Sequence, residues 1–141
     1  GNAIFASGSP FATVELNGKT YSPGQGNNAY IFPGVALAVI LFQVRHVPDE
    51  LFLIASEVLS SVLTQEQMAK GRVYPPLTDI PEISVKIAVE CSKYCYKMGI
   101  ASQYPEPEDK EEFIRAQLYD CEYKTYKPDV YDWPDNLMKF S

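Results

Sequence analysis

Two adjacent asparagines, Asn27 and Asn28, are the residues of this sequence best suited to binding a small polar ligand. They follow Gly24-Gln25-Gly26 and precede a long apolar segment with helical spacing. Glycine lets a ligand approach the main chain closely, a helix start has unpaired N–H groups that favour anions, and a carboxamide donates and accepts hydrogen bonds without charge. Such a corner suits a carboxylate or an amide-bearing ligand. The alternative is a glycine-rich turn whose asparagines cap a helix from Tyr30 onward, because Asn is a favoured N-cap.

Ser7 is a further candidate for ligand contact. It follows the short apolar run Ala3–Ala6, which is typical of a buried strand that needs neighbouring strands. Ligands of open α/β sheets bind at the carboxyl ends of strands, which is where Ser7 stands. The alternative is a strand-ending turn in which Ser7 satisfies nearby backbone groups.

Arg45 and His46 carry groups suited to a substrate clamp or a general base. They precede Pro48 at a predicted connection between two helices, however, where basic side chains interact well with a helix C-terminus. Glu57 is a lone carboxylate on a helix whose other face is apolar, and we expect it to be solvated.

The cysteines do not form the pattern of a disulfide framework, because there are three of them and Cys91 and Cys95 share one helical face. A reduced intracellular compartment is the better expectation. A zinc site would need further ligands, and His46 is the single histidine of the sequence.

The composition excludes several classes of partner. Of the 141 residues, 46% are hydrophobic, which indicates a globular protein, and the net charge of −6 argues against a nucleic-acid partner. The N-terminus has no signal-peptide pattern. The apolar run 29–44 contains Pro33 and falls short of the roughly 20 residues that span a bilayer, so we expect no membrane partner.

The elements that position these residues follow from turn and cap signals. Asn17-Gly18 predicts a type I′ turn between strands at Thr13–Leu16 and Lys19–Ser22. Helical spacing and capping pairs then predict five helices. These are Gly34–Phe42, a helix opened by Pro48 and Asp49, a short helix with a Thr64–Gln67 capping box, a long helix opened by Asp79 and Glu82 and ended by Gly99, and Glu108–Leu118.

Several blocks of the sequence, taken together, resemble the C-terminal part of the malic enzymes of animals. In chain order they are Ile4–Phe11, Gly24–Gly34, Arg45-His46, Gly71–Leu77 and Tyr104–Lys110. The resemblance runs from about Ala3 to Trp133. It implies an α/β fold, in which this chain is the C-terminal fragment of a Rossmann-type NAD(P)-binding enzyme, mostly α-helical with a short strand and a β-hairpin near the N-terminus.

The resemblance also implies a division of the chain. Residues 1–27 would end the NAD(P)-binding domain, and residues 28–99 would be the helical part of the catalytic domain. Residues 100–141 would form a C-terminal helix and a tail at the subunit interface of a tetramer, and the tyrosine-rich end would wrap over another surface.

The implied activity is oxidative decarboxylation of L-malate to pyruvate and CO2, with NAD or NADP as the oxidant and Mg or Mn as the metal. In the family, Asn27 corresponds to a residue that contacts the nicotinamide end of the cofactor, and Asn28 to one that binds the malate carboxylate. The catalytic Lys and Tyr, the acidic metal ligands and the glycine-rich dinucleotide fingerprint all belong upstream of Gly1. We therefore expect no catalytic or metal-binding residue in this chain, no activity of the chain alone, and a cytoplasmic or mitochondrial-matrix location for the parent.

A different class of function also fits the sequence. The helical region would then be a stand-alone interaction or oligomerisation module that binds no small molecule. The roles of Asn27 and Asn28 separate the two hypotheses.

Overall fold

Among the described residues, the strands form two small pairs, and all of them lie before residue 26. The computed structural model describes residues 3–119. Strand β1, Ala6–Ser7, pairs in parallel with β4, Gly24–Gln25, with Ala6 opposite Gly24 and Ser7 opposite Gln25. Between them, β2, Val14–Leu16, and β3, Lys19–Tyr21, form an antiparallel hairpin. Asn17 and Gly18 connect these two strands, and both have positive φ, 53° and 72°, as a type I′ turn requires.

The expectation of a buried strand at Ala3–Ala6 was wrong. The strand begins only at Ala6, and the side chains of Ile4 and Phe5 are 67% and 55% exposed. In the described part of the chain, β1 pairs with β4 alone, and no further strand covers the residues before it. Strand β4 itself was not predicted, because a two-residue strand of Gly and Gln has no period of its own.

After the strands, the regular structure of the described chain is helical. The helices are α1 (Phe32–Leu41), α2 (Glu50–Ser61), α3 (Gln65–Ala69), α4 (Ile80–Lys97) and α5 (Lys110–Arg115), with short 3-10 helices at Asn28–Tyr30 and Leu77–Asp79. Helix α4 is central, since α1, α2 and α5 all pack against it. Its buried side includes Ile83, Ile87, Cys91 and Cys95, which recur at the spacing of one helical face.

The capping signals were right at α3 and wrong at α4. Thr64 and Gln67 form both reciprocal hydrogen bonds of a capping box. Asp79 makes no side-chain cap bond, because it already has helical backbone angles at the end of a 3-10 helix that continues into α4. The hydroxyl of Thr78 donates to its carboxylate instead, over 3.1 Å.

The last described helix is shorter than expected. It begins at Lys110, not at Glu108, because the Asp109 carboxylate accepts a hydrogen bond from the Glu112 N–H at 2.8 Å and so caps it. It ends at Arg115 in place of Leu118. The predicted wrapping tail lies outside the described residues. Among residues 3–119, no helix has the length and apolar character needed to cross a membrane.

Candidate functional site

Asn27 is a helix cap. Its backbone is extended, with φ −139° and ψ 135°, and its side-chain oxygen accepts a hydrogen bond from the Ala29 N–H at 2.9 Å. This is the capping interpretation of the sequence, and it holds for Asn27. The cap uses the carboxamide oxygen only, so the exposed side chain keeps its NH2 group as a donor.

Asn28 differs from its neighbour in that only its main chain is engaged. It is the first residue of the 3-10 helix, and its carbonyl accepts a hydrogen bond from the Ile31 N–H at 3.2 Å. Within residues 3–119 its exposed carboxamide makes no hydrogen bond. Both a donor and an acceptor of Asn28 are thus open to a ligand.

The first α-helix does not start at the asparagine pair, and its start lies two residues before the predicted Gly34. The α-helix begins at Phe32, its N-cap residue Ile31 makes no side-chain cap bond, and Pro33 has no N–H to offer in the first turn. The field of a helix terminus fades within one turn. Anion binding by the dipole of α1 at Asn28 is therefore not supported.

Ser7 forms the strand-ending turn that was the alternative to ligand contact. Its hydroxyl oxygen accepts a hydrogen bond from the Ser9 N–H at 3.2 Å. Its carbonyl accepts from the Gly26 N–H at 2.8 Å, and the Gln25 side chain donates to the Gly8 carbonyl at 2.9 Å. The end of β1 is thus hydrogen-bonded to Gly26, the residue before Asn27. This bond brings Ser7 close in space to the segment that carries Asn27 and Asn28.

The two glycines before the asparagines serve packing. Neither has positive φ, and a β-carbon added to Gly24 would lie 3.0 Å from the main-chain nitrogen of Tyr74 and 3.2 Å from its β-carbon. One added to Gly26 would lie 3.5 Å from Cε2 of the same ring. The close approach that these glycines permit is that of Tyr74, so the ligand-approach interpretation was wrong for Gly24.

Tyr30 anchors the chain on the C-terminal side of Asn27 and Asn28. It is 1% exposed, its hydroxyl donates to the Pro75 carbonyl, and its ring stacks on that of Tyr74 with 5.6 Å between centroids and 16° between planes. Burial raises the pKa of Tyr30, so the phenol stays protonated and remains a donor at neutral pH. Sequence reasoning missed this contact, although the rigid Tyr74-Pro75-Pro76 segment was the signal that could have indicated it.

Arg45 binds the C-terminal end of a helix, which was the alternative to a role as substrate clamp or general base. Its guanidinium donates to the Gly99 carbonyl at 2.5 Å and its main-chain N–H to the Ile100 carbonyl at 3.1 Å, just beyond α4. His46 is exposed. Glu57 is exposed at a groove of about 470 Å³ between α2 and α4.

Metal binding finds no support in the described chain. Among residues 3–119, no three side chains of His, Cys, Asp or Glu lie close enough together to hold an ion. The asparagine pair also lies on an open surface, whereas sites for small molecules are concave and enclose most of the ligand. The pair can orient an anion or an amide but cannot by itself exclude water.

Comparison with known proteins identifies relatives along the whole chain. Residues 1–96 match the model of the family described as malic enzyme, NAD binding domain. The chain is 58% identical over 139 residues, 99% of its length, to the NAD-dependent mitochondrial malic enzyme of Ascaris suum, and it covers 22% of that protein. It is 50% identical over 139 residues, 98% of its length, to the human NADP-dependent mitochondrial malic enzyme (23% covered), and 49% identical over 140 residues, 99% of its length, to the NADP-dependent malic enzyme of Columba livia (25% covered). The chain thus spans about a quarter of the length of these relatives.

Proposed function

The chain belongs to the malic enzyme family, and we propose that it is a segment of a longer enzyme that oxidatively decarboxylates L-malate to pyruvate and CO2 while reducing NAD or NADP. The observation that carries this proposal is the state of Asn28. Its main chain is held in a 3-10 helix while its carboxamide is exposed and makes no hydrogen bond within residues 3–119.

Asn28 binds the malate carboxylate in this proposal. A carboxamide N–H donates to a carboxylate oxygen, and because the group is neutral it adds no competing proton donor or base near the reacting hydroxyl. Its contribution is orientation of the substrate, which lowers the barrier because the reacting groups are already aligned.

Asn27 contacts the nicotinamide end of the cofactor. Its oxygen is occupied by the Ala29 N–H, so the contact is made by the NH2 group, which suits the carbonyl oxygen of a carboxamide. Ser7 would contribute its O–H, since the Ser9 N–H uses only a lone pair of that oxygen. The fastening of Ser7 to Gly26 supports a common site for the three residues.

The metal and the proton-transfer groups come from other parts of the longer protein. Mg or Mn would supply a Lewis acid for the ketone and enolate that form during decarboxylation. The described residues do not fit such an ion, because no acidic cluster exists among them. We assign the metal ligands, the base and the acid to segments outside this chain, and we expect the chain by itself to be inactive.

The division of the chain is likewise a proposal. The change from strands to helices near Asn28 supports a boundary between residues 27 and 28, although the matched family model runs across it to residue 96. Residues 28–99 would belong to the catalytic domain and residues 100–141 to the subunit contacts of a homotetramer. We place the protein in the cytoplasm or the mitochondrial matrix, and two of the three relatives compared above are mitochondrial by name.

A stand-alone interaction module is the second candidate function. The observation in its favour is the exposed apolar surface of the helices, with Ile40, Leu53 and Phe32 exposed by 70%, 60% and 56%. A segment of a larger enzyme would show the same surface, because the rest of the enzyme would cover it. The surface alone therefore does not separate the two functions.

The test is malate-dependent reduction of NAD and of NADP in the presence of Mn²⁺, measured on the full-length protein and on the 141-residue chain side by side. The proposal predicts activity in the full-length protein and none in the chain. Activity in neither would support the interaction module, and activity of the chain alone would contradict the assignment of base and metal ligands to other segments.

A further inference from the structure

A single side chain, Tyr74, contacts the chain on both sides of the asparagine pair. Two residues before Asn28, a β-carbon added to Gly26 would lie 3.5 Å from Cε2 of Tyr74, so the ring edge lies beside the main chain there. Two residues after Asn28, the Tyr74 ring stacks on that of Tyr30. Asn28 has an exposed side chain and makes no side-chain bond within residues 3–119, so nothing that it contacts through its own carboxamide fixes its position. Its position is set by its 3-10 helix and by the chain on either side, which Tyr74 supports at both places.

The first anchor is the main chain of β4 against the edge of the Tyr74 ring. Cδ2 of Tyr74 lies 3.3 Å from the position of a β-carbon on Gly24, and Cε2 lies 3.5 Å from that of one on Gly26. The ring edge thus lies along the main chain from Gly24 in β4 to Gly26 just after it. No larger residue at position 24 would allow this approach without a shift of Tyr74.

The second anchor is the buried ring of Tyr30. It stacks on the face of Tyr74, and its hydroxyl donates to the carbonyl of Pro75, the residue next to Tyr74. Pro75 and Pro76 restrict the backbone of this segment, so the support is rigid. An aromatic pair in this arrangement adds stability beyond the burial of its area.

We propose that Tyr74 is a positioning residue for Asn28: its ring holds Gly26 and Tyr30 at a fixed separation and thereby sets where the Asn28 carboxamide meets the substrate carboxylate. This inference rests on the proposed role of Asn28. A ligand-binding group must stay within about 0.5 Å of its productive position, and a misplacement of about 1 Å costs on the order of 100-fold in rate.

The test is steady-state kinetics of the full-length enzyme with Tyr74→Ala and Tyr74→Phe. We expect Tyr74→Ala to raise the malate KM about tenfold or more. Tyr74→Phe should stay within about twofold of the parent, because the ring makes the contacts and the Tyr74 hydroxyl makes no hydrogen bond within residues 3–119. If Tyr74→Ala proves unstable, Tyr74→Leu keeps much of the volume without the flat ring and should show the same rise.

Tyr96→Ala is the matched control. Tyr96 is also half-buried, packs edge-on against Phe42 at 5.8 Å and donates its hydroxyl to the Gln103 carbonyl. It lies near the C-terminal end of α4, two to three turns beyond Ile87. Ile87 is where Gly34 of α1, the helix that follows the asparagines, packs on α4. We expect a similar loss of thermal stability from Tyr96→Ala with an unchanged malate KM.

Combination with Asn28→Ala decides whether Tyr74 acts through Asn28. If it does, the double variant has a malate kcat/KM no lower than that of Asn28→Ala alone. Fully additive losses, or a Tyr74→Ala variant with parental kinetics beside an impaired Asn28→Ala, would overturn the inference and leave the proposed function standing. Parental malate kinetics in Asn28→Ala itself would overturn both.

Discussion

Gly34 of α1 lies directly against Ile87 of α4. A β-carbon added to Gly34 would stand 2.6 Å from the β-carbon of Ile87 and 2.9 Å from the Ser84 carbonyl oxygen, distances that real atoms do not adopt. The two helices therefore approach as closely as their backbones allow. Since α1 follows the asparagine pair by a few residues, this contact also ties the site to the central helix.

The Gly34–Ile87 contact predicts the effect of a single methyl group. Gly34→Ala should lower the free energy of unfolding by about 1–3 kcal/mol, because backbone and not a flexible side-chain end would have to move. Gly8→Ala is the control, since its added β-carbon would meet only the Gly26 oxygen at 3.9 Å. Thermal unfolding of the full-length protein measures both, and equal melting temperatures would contradict the close packing of α1 on α4.

Asn27 should reveal two separable roles. Asn27→Ala removes the cap on Ala29 and should destabilise the protein by about 1 kcal/mol. Asn27→Asp keeps the capping oxygen but lacks the NH2 group, so stability should be retained while the KM for NAD or NADP rises. If Asn27→Asp leaves both stability and cofactor kinetics unchanged, Asn27 is a cap and nothing more.

Cys91 should be an inert thiol. It is fully buried, its Sγ donates to the Leu51 carbonyl, and burial raises its pKa from 9.0 to about 12. Only the thiolate is nucleophilic. We expect iodoacetamide at pH 8 to modify Cys91 and the equally buried Cys95 far more slowly in the native protein than in urea, as followed by peptide mapping. Rapid native modification of Cys91 would contradict this burial.

The raised pKa of Cys91 also determines how the free energy of unfolding changes with pH. Below pH 9 the Cys91 thiol is protonated in both the folded and the unfolded state, so its contribution is fully present. Between about pH 9 and 12 only the unfolded state loses the proton, and stability falls as the pH rises, by up to about 1.4 kcal/mol per pH unit. Cys91→Ala should remove this part of the alkaline decline, and an identical decline in both proteins would contradict the shift.

The isolated 141-residue chain should self-associate. Its exposed large apolar side chains include Ile40 of α1 and Leu53 of α2. Such surface drives association when nothing covers it. Light scattering across a range of concentrations should show a rising average mass, which Ile40→Ser with Leu53→Ser should reduce. A monodisperse monomer at every concentration would contradict this expectation.

Local signals in the sequence were sufficient for most of the helices. The capping box at Thr64 and the apolar stripe of α4 depend on residues three and four positions apart, and the structure has both. Strand β4 and the support under the asparagines depend on Tyr74, which is about 50 residues away from Gly24 along the chain. No local period encodes such a contact, so the reason for the two glycines became visible only in the fold.

The asparagines illustrate the same limit within one site. Sequence pattern offered capping and ligand binding as alternatives for both residues. The structure assigns the cap to Asn27 through the Ala29 N–H, and among residues 3–119 it engages no part of the Asn28 carboxamide. That distinction follows from the backbone angles at the start of a 3-10 helix. The sequence does not show it, because the two neighbouring side chains are identical.

The most direct test of the account is the malate kcat/KM of full-length Asn28→Ala, measured beside its melting temperature. We predict that kcat/KM falls by the equivalent of about 1–3 kcal/mol, because a partner of the substrate carboxylate is lost, while the melting temperature stays unchanged. A lower melting temperature with unchanged malate kinetics would contradict the account and make Asn28 a structural residue of the turn.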